Sequence, residues 1–344
     1  DETKFGVVFL AENQAEKFEE YHVFLLNREG EILWQTTEKL KLSNENFSIQ
    51  SLTVSDAGVI SIAFTSAPNN KRSADQMTYI DLTRVGENNQ DYVSIPLDKK
   101  NLSDISLKAL RSGNLFFACL FSEGKDDHPT HLQTVIFDAD KLEVTENSIS
   151  KIPPMEVKSK TVSPIWGITP KKYEFNIAIK KIEELANGKL AIVCEQQAMV
   201  VVHSQSNPNV PFYLKGDIMT AFAGSDGVVE NYDVYNRFQK SNFRKYVSCH
   251  VFSVENDIYY LFNENPKNLE DKTADKTFDG NNPSKPVIVC NKVSNGASSE
   301  MTFITNKNGS GDRSIQSILI KDENKLLIAT GTTKEVNLEI INLE

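Results

Sequence analysis

Apolar and polar residues alternate along the chain in paired stretches, and a short polar turn separates the two members of each pair. Residues 181–197, KIEELANGKLAIVCEQQ, show the pattern, with Asn187-Gly188 at the turn. Alternation with a period of two predicts half-buried β-strands, and two such strands around an Asn-Gly turn predict a hairpin. Equivalent hairpins occupy residues 51–66, 105–121, 247–265 and 314–331.

A second series of hairpins lies between the members of the first. It occupies residues 21–36, 77–95, 131–147, 217–234 and 286–304. One hairpin of each series gives a unit of four antiparallel strands, and the turns of the first series fall 55 to 75 residues apart. Residues 4–13 match only the second half of a first-series hairpin. Self-similarity at this spacing indicates a repeat architecture.

The repeat predicts an all-β fold of the β-propeller type. A single four-stranded unit cannot bury both of its faces, so units of this kind stack around a common axis. We interpret residues 1–344 as a single domain of six blades, with seven blades as the alternative. The first and last blades are incomplete, so the ring closes either through residues outside the chain or through an irregular joint blade. The approximate blades are 4–42, 47–97, 104–152, 174–240, 246–306 and 313–344.

The middle and later part of the chain also resembles a known group of proteins. The residues that carry the resemblance are NGKLAIVCEQQ (187–197), DIMTAFAGSDG (217–227), the Arg237-Phe238-Gln239 that follows, and YYLFNENPKNLE (259–270). They are similar to exported, six-bladed β-propeller proteins of Gram-negative bacteria with WD40- or YVTN-like repeats. The resemblance covers roughly residues 174–330. It implies an exported protein, either periplasmic, outer-membrane-associated or extracellular, and no established activity.

Connections between the predicted strands alternate between short and long. Turns inside hairpins are short, whereas the connections between hairpins are long and occupy 12–21, 65–76, 122–131, 150–173, 196–216 and 263–285. In a four-stranded blade the long set shares one face, and loops gathered on one face of a rigid scaffold commonly carry function. We therefore expect a functional face there. Tolerated insertions are the alternative, because lengthening a loop costs little.

Several candidate binding residues lie in these long connections. Trp166, between two prolines, could stack on a sugar or anchor a partner. Phe212 and Tyr213, in NPNVPFYLKG, have the same potential. For these aromatic residues, packing between blades is the alternative. The remaining candidates are the polar residues Arg72, His128 and His131.

Residues 124–131, GKDDHPTH, hold the candidate metal ligands Asp126, Asp127, His128 and His131. We favour a solvated polar turn for this segment, because the sequence offers no second cluster of ligands. The sequence thus predicts neither a metal nor a cofactor. Glu12, Glu195 and Asn263 end equivalent strands, and we interpret their side chains as caps of backbone groups.

Composition and charge limit the kinds of partner that we expect for this chain. The chain has 37 basic and 47 acidic residues, a net charge of −10, and no Lys/Arg-rich run, so we expect no nucleic-acid partner. No apolar run reaches the length needed to cross a bilayer. The chain begins at Asp1 rather than Met, which fits a removed leader and leaves a lipid anchor before residue 1 open. Four cysteines lie far apart in apolar stretches, which indicates buried free thiols.

These features favour a non-catalytic, exported β-propeller that binds a protein or glycan partner through the face with the long loops. The alternative is a carbohydrate-active hydrolase or lyase with acidic residues at the central channel. No Gly-x-Ser-x-Gly motif occurs in the sequence. Paired carboxylates can still come together from distant positions in the fold, where sequence spacing does not reveal them.

Overall fold

The chain folds almost entirely into β-strands. The structure is a computed structural model that describes residues 4–13, 18–39, 45–68, 79–87, 90–96, 100–123, 128–153, 155, 175–202, 210–242, 244, 247, 249–265, 267–270, 278–279, 287–294, 297–304, 314–322, 325–331 and 336–342. Within these ranges there are 24 strands and one helix of four residues, α1 (Lys267–Glu270). None of the described helical residues forms a segment long and apolar enough to span a membrane. The all-β prediction is confirmed.

The first of two compact units spans Asp1–Ile152 with Ser225–Val228 and holds three antiparallel sheets. Sheet 1 contains β1 (Lys4–Asn13), β2 (Phe18–Asn27) and β3 (Ile32–Lys39). Sheet 2 contains β4 (Glu45–Val54), β5 (Ile60–Pro68), β6 (Tyr79–Val85) and β7 (Gln90–Pro96). Sheet 3 contains β8 (Lys100–Ala109), β9 (Leu115–Glu123), β10 (His131–Asp138) and β11 (Glu143–Lys151). In each sheet, strands adjacent in the chain pair with one another.

The second compact unit spans Pro153–Gly224 with Val229–Glu344 and holds three more sheets. Sheet 4 contains β12 (Asn176–Glu184), β13 (Leu190–Val202), β14 (Val210–Ala223), β15 (Val229–Tyr235), β16 (Gln239–Ser241) and the later β19 (Phe278–Asp279). Sheet 5 contains β17 (His250–Val254), β18 (Asp257–Glu264), β20 (Val287–Ser294) and β21 (Ala297–Ile304). Sheet 6 contains β22 (Ser314–Asp322), β23 (Lys325–Gly331) and β24 (Val336–Asn342).

Sheets 1 to 3, and likewise sheets 4 and 5, pack face to face through apolar side chains. One core joins sheets 1 and 2 around Tyr21 and Phe64, and another joins sheets 2 and 3 around Leu82 and Phe117. In the second unit, a core of the same kind joins sheets 4 and 5, with Tyr260 at its centre. This packing explains the predicted alternation, because every second residue of an inner strand contributes to a core.

The number of blades and the single-domain interpretation stay predictions. The antiparallel sheets have mostly four strands, which is consistent with a β-propeller. All four cysteines are buried and free, as predicted. One predicted boundary is wrong: residues 196–216 were expected to form a loop, but β13 runs to Val202 and β14 begins at Val210. The β-branched and aromatic residues of AMVVV and VPFYL favour the longer strands, and one face of the extension packs against Phe175 and Phe238.

Candidate functional site

A fully buried carboxylate lies at the middle of β13. Glu195 follows five apolar or small residues of this strand and has 0% of its surface exposed. Its cross-strand partners are Ala178 on β12 and Ile218 on β14, neither of which offers a charge. A carboxylate in such surroundings needs cations and hydrogen-bond donors from elsewhere, because an isolated buried charge is very costly.

Two β-bulges beside Glu195 supply part of this compensation. On β12, the register with β13 shifts between Ile179 and Lys181, so Lys180 is the extra residue. On β14, Gly216 and Asp217 oppose the single residue Gln196 of β13, so that Lys215 pairs with Gln197 and shares the face of Glu195. Bulges redirect side chains and are common beside functional sites. Both lysines therefore turn towards the same carboxylate.

The bulge on β14 requires a glycine. A Cβ atom placed on Gly216 would lie 2.6 Å from Oε1 and 2.9 Å from Cβ of Gln196. Gln196 itself holds the bulge, because its Oε1 accepts a hydrogen bond of 3.1 Å from the Asp217 amide. The close approach of the two strands explains why no larger residue fits at position 216.

Three cationic side chains of the described part of the chain surround Glu195. Arg237 donates from Nη2 to Oε1, Lys215 Nζ lies 2.8 Å from Oε2, and Lys180 Nζ lies 3.5 Å from the same oxygen. Two further contacts fix Arg237: Nε donates to the Gly216 carbonyl at 3.2 Å, and Nη1 donates to Gln239 Oε1 at 3.1 Å. The guanidinium carbon also lies 5.0 Å from the centre of the Phe262 ring.

Burial and charge act in opposite directions on these groups. Burial alone would raise the pKa of Glu195, but Arg237, Lys215 and Lys180 outweigh it and hold that pKa below its ordinary value. Burial lowers the pKa of Lys215, and the attraction of Glu195 offsets this only in part. Glu195 is therefore a firmly ionised group, whereas Lys215 is a cation held at a cost.

A row of polar side chains crosses sheet 4 next to this network. Asn176, Gln197, Lys215 and Gln239 occupy paired positions on four neighbouring strands and share one face. Lys215 Nζ donates to Gln197 Oε1 at 2.7 Å. Gln239 donates from Nε2 to the Asn263 carbonyl. The row therefore lies between the buried ionic network and the part of the sheet in which β13 and β14 continue beyond it.

Beyond this row, β13 and β14 continue as an extension with two unlike faces. Ala198, Val200 and Leu214 pack on one face against Phe175 and Phe238. On the other face, Met199 pairs with Tyr213, and Met199 is 64% exposed. The outward face borders a pocket of about 480 Å³. Its lining residues are Asn176, Gln197, Ala198, Met199, Tyr213, Lys215 and Arg244.

This arrangement is suited to binding a polar molecule. Lys215, Arg244, Asn176 and Gln197 offer donors and acceptors to the pocket, and Tyr213 offers an aromatic side chain. The volume lies within the range of about 300–1,000 Å³ that is usual for small-molecule sites. The network behind Lys215 fixes its position, because Glu195 and Gln197 both accept hydrogen bonds from the ammonium group.

The structure places the described candidate residues in different settings. Tyr213 lines the pocket and is half-buried. Phe212, its neighbour on β14, is buried, because alternate residues of a strand point to opposite faces. His131 stacks on Phe121 with ring centres 5.3 Å apart and contacts Thr130 Oγ1 at 2.9 Å. His128 is half-buried. The roles predicted for these residues in binding stay predictions.

The other candidates lie outside the described residues: Arg72, Trp166, Asp126 and Asp127. Within the described ranges, no group of three or more His, Cys, Asp or Glu side chains is placed to hold a metal ion. The weak metal candidate at 124–131, for which we favoured a solvated polar turn, therefore stays untested. The side chain of Glu12 also lies outside the description.

Sequence reasoning missed the central residues of the site. Glu195 was interpreted as a backbone cap, yet its described partners are three cationic side chains. Lys215 and Arg237 were not considered as site residues. The signal was present: a Glu directly follows the apolar run of LAIVCEQQ, and a Lys directly follows the apolar run of VPFYLK. Charges in such positions require a partner.

Comparisons with known proteins give only distant similarities. No protein-family model matches the chain. No curated protein matches it either.

Similar solved structures include a protein of unknown function from Bacteroides caccae, with 9% identity, a TM-score of 0.38, and coverage of 97% of this chain and 84% of that one. A polysaccharide lyase, an ulvan lyase bound to a GlcA–Rha3S saccharide, has 10% identity, a TM-score of 0.42, and coverage of 100% and 77%. The WD40 domain of SCAP from fission yeast has 10% identity, a TM-score of 0.23, and coverage of 97% and 84%. Similarities this low carry no argument about function.

Proposed function

We propose that this chain is an exported, non-catalytic β-propeller that binds a glycan in the pocket of sheet 4. The observation that carries the proposal is the pocket of about 480 Å³, bordered by Tyr213, Met199 and the polar row of the sheet. Sugars present hydroxyl groups and apolar ring faces together, so a site for them combines hydrogen-bonding side chains with an aromatic or apolar surface.

The position of the pocket supports the proposal. It borders the extension of β13 and β14, and five of its lining residues fall within the segment 196–216, one of the connections for which the sequence predicts function. A concave site of this volume fits a small ligand or a few sugar units. A protein partner of standard size would cover about 800 Å² on each side. We therefore favour a glycan over a protein.

The state of the buried carboxylate favours binding over hydrolysis. A hydrolase needs a carboxyl group whose pKa is raised so that it can donate a proton. Three cations instead lower the pKa of Glu195, and its side chain is fully buried. A lyase is the second candidate function, because Lys215 lines the pocket and its lowered pKa suits a base.

Binding to an array of bacterial, plant and algal glycans tests the proposal. The wild-type chain is compared with Tyr213→Ala and with a matched control, Tyr232→Ala. Tyr232 lies on β15 opposite Ala221, eight residues along β14 from Tyr213. We expect Tyr213→Ala to lose binding and Tyr232→Ala to retain it. Binding that survives Tyr213→Ala, or no binding to any glycan, contradicts the proposal. Release of unsaturated sugar products from a bound glycan would replace it with the lyase.

A further inference from the structure

The charges that border the pocket of sheet 4 are all positive among the described residues that line it. Lys215 and Arg244 are the cations, and the remaining lining residues carry no charged side chain. This local charge contrasts with the whole chain, whose net charge is −10. Because charges in solution are screened over about 8 Å at physiological salt, distant acidic residues contribute little to the field inside the pocket.

The buried network compensates the positive charge of Lys215 only in part. Its carboxylate partner, Glu195, is shared with Arg237 and Lys180. An ammonium group has three N–H donors, and in the described structure two of them are directed to Glu195 and Gln197. The third donor remains for the pocket, which Lys215 lines.

Apolar packing would have been a simpler solution for this strand. A buried ion pair gives little net stability, and replacing it by well-packed apolar residues is often neutral or stabilising. Sheet 3 shows the apolar solution at the matching position, where Leu120 is fully buried. The ionic network of sheet 4 therefore has its best explanation in what it presents to the pocket, a fixed ammonium group.

We propose that the pocket of sheet 4 selects a sugar that carries an anionic substituent, a carboxylate or a sulfate, which Lys215 and Arg244 bind together. This inference rests on the proposed function and names the class of glycan. Charge-assisted hydrogen bonds from the two cations orient the anionic group, while Tyr213 and Met199 contact the sugar ring. An anionic ligand also neutralises the remaining positive charge of Lys215. Ligand binding therefore favours the protonated form of Lys215.

Matched pairs of oligosaccharides test the inference. Each pair shares one sugar backbone, in a charged form and a neutral form: oligogalacturonate against its methyl ester, and a sulfated galactan oligosaccharide against the desulfated one. Affinities are measured by calorimetry for the wild type, Arg244→Gln and the control Arg111→Gln. Arg244 and Arg111 are both exposed, and Arg111 lies in the β8–β9 turn.

We expect the wild type to bind the charged member of one pair about ten- to a hundredfold more tightly, the worth of one hydrogen bond to a charged group. Arg244→Gln should reduce this preference, Arg111→Gln should leave it intact, and added salt should weaken it. The preferred pair distinguishes a carboxylate from a sulfate. Lys215→Gln provides a second variant, and its folding is checked first by thermal unfolding.

The possible failures separate the two proposals. Equal binding of charged and neutral forms that is lost in Tyr213→Ala overturns the anion preference and leaves the glycan-binding function. Binding of only a neutral glycan on the array has the same meaning. An anion preference that Arg244→Gln and Lys215→Gln both retain overturns the assignment of the pocket. No binding of any glycan overturns both.

Discussion

The strands β9 and β13 belong to equivalent hairpins of sheets 3 and 4, and they differ at one decisive position. Both hairpins turn at a glycine with positive φ, Gly113 at +88° and Gly188 at +79°, and both strands begin two residues later. The sixth residue of β9 is Leu120, and the sixth residue of β13 is Glu195. Both side chains are fully buried.

The surroundings of the two positions differ accordingly. Along β9 and β10 the register runs without a shift, so Leu120 pairs directly with Leu132. The next residue pair along these strands, Phe121 and His131, stacks its two rings. Along β13 and β14 the bulge at Gly216 redirects Lys215, and both strands continue to border the pocket. The same hairpin therefore builds either a core or a site, and the neighbouring strands decide which.

Placing a glutamate in the apolar strand gives the largest expected effect. In Leu120→Glu, the cross-strand partners of the new carboxylate are Asp104 and Leu132, neither of which is a cation. Keeping the buried carboxyl protonated at pH 7 costs roughly 3.7 kcal/mol, and burying the neutral carboxyl without a hydrogen-bond partner costs about 1–3 kcal/mol more. Denaturant unfolding measures the loss, with Leu120→Met as the control at less than about 1.5 kcal/mol. A small loss would show that sheet 3 tolerates a charge at this position.

Removing the carboxylate of sheet 4 gives the next largest effect. Glu195→Gln leaves Arg237 and Lys215 buried without their shared anion, and breaking a buried pair costs about 3–5 kcal/mol. The matched control is Glu230→Gln, because Glu230 pairs with Lys189 at 2.6 Å on the surface, where a pair contributes about 1 kcal/mol or less. Urea unfolding of both variants makes the comparison. Equal losses would mean that burial does not strengthen the dependence on Glu195.

Filling the space at the bulge has an intermediate effect. Gly216→Ala places a Cβ atom against Gln196, and strain of this kind costs about 1–3 kcal/mol. The variant should also weaken glycan binding, because Lys215 directly precedes the bulge. The double variant Gly216→Ala/Gln196→Ala should recover part of the stability, since the amide oxygen is then gone. Thermal unfolding measures both. A neutral Gly216→Ala would show that the strands separate easily at this point.

Acid titration gives the smallest effect and sharpens the comparison. The pKa of Glu195 in the folded chain lies below its ordinary value of 4.5. Its ionised form therefore stabilises the fold above that value, and the contribution is lost as pH falls through the folded pKa, by at most about 1.4 kcal/mol per pH unit. Asp138 in sheet 3 acts in the same direction, since backbone donors lower its pKa. The difference between wild type and Glu195→Gln isolates Glu195, and parallel pH curves for the two would contradict the prediction.

Much of the fold was predictable because it is encoded locally. The period of two in LAIVCEQQ and the glycine turns fix strands and hairpins without knowledge of distant residues. The extension of β13 and β14 was harder, because its apolar face finds Phe175 and Phe238 only after folding.

The site depended on contacts that sequence spacing does not show. Glu195 and Arg237 lie 42 residues apart in the chain and meet only through the sheet. The bulges that redirect Lys180 and Lys215 change the face of a side chain without a clear signal in composition. Gly216 was one hint, since an isolated glycine in a strand pattern suggests a bulge.

The extra residue in β14 also has a consequence for how such a site arises. Because side chains alternate with a period of two, inserting one residue into a strand reverses the face of everything beyond it. Deleting Gly216 would return Lys215 to the opposite face and leave an ordinary blade strand. A gain or loss of one codon is thus enough to turn Lys215 towards the pocket or away from it, while the hairpins of the neighbouring sheets keep their structure.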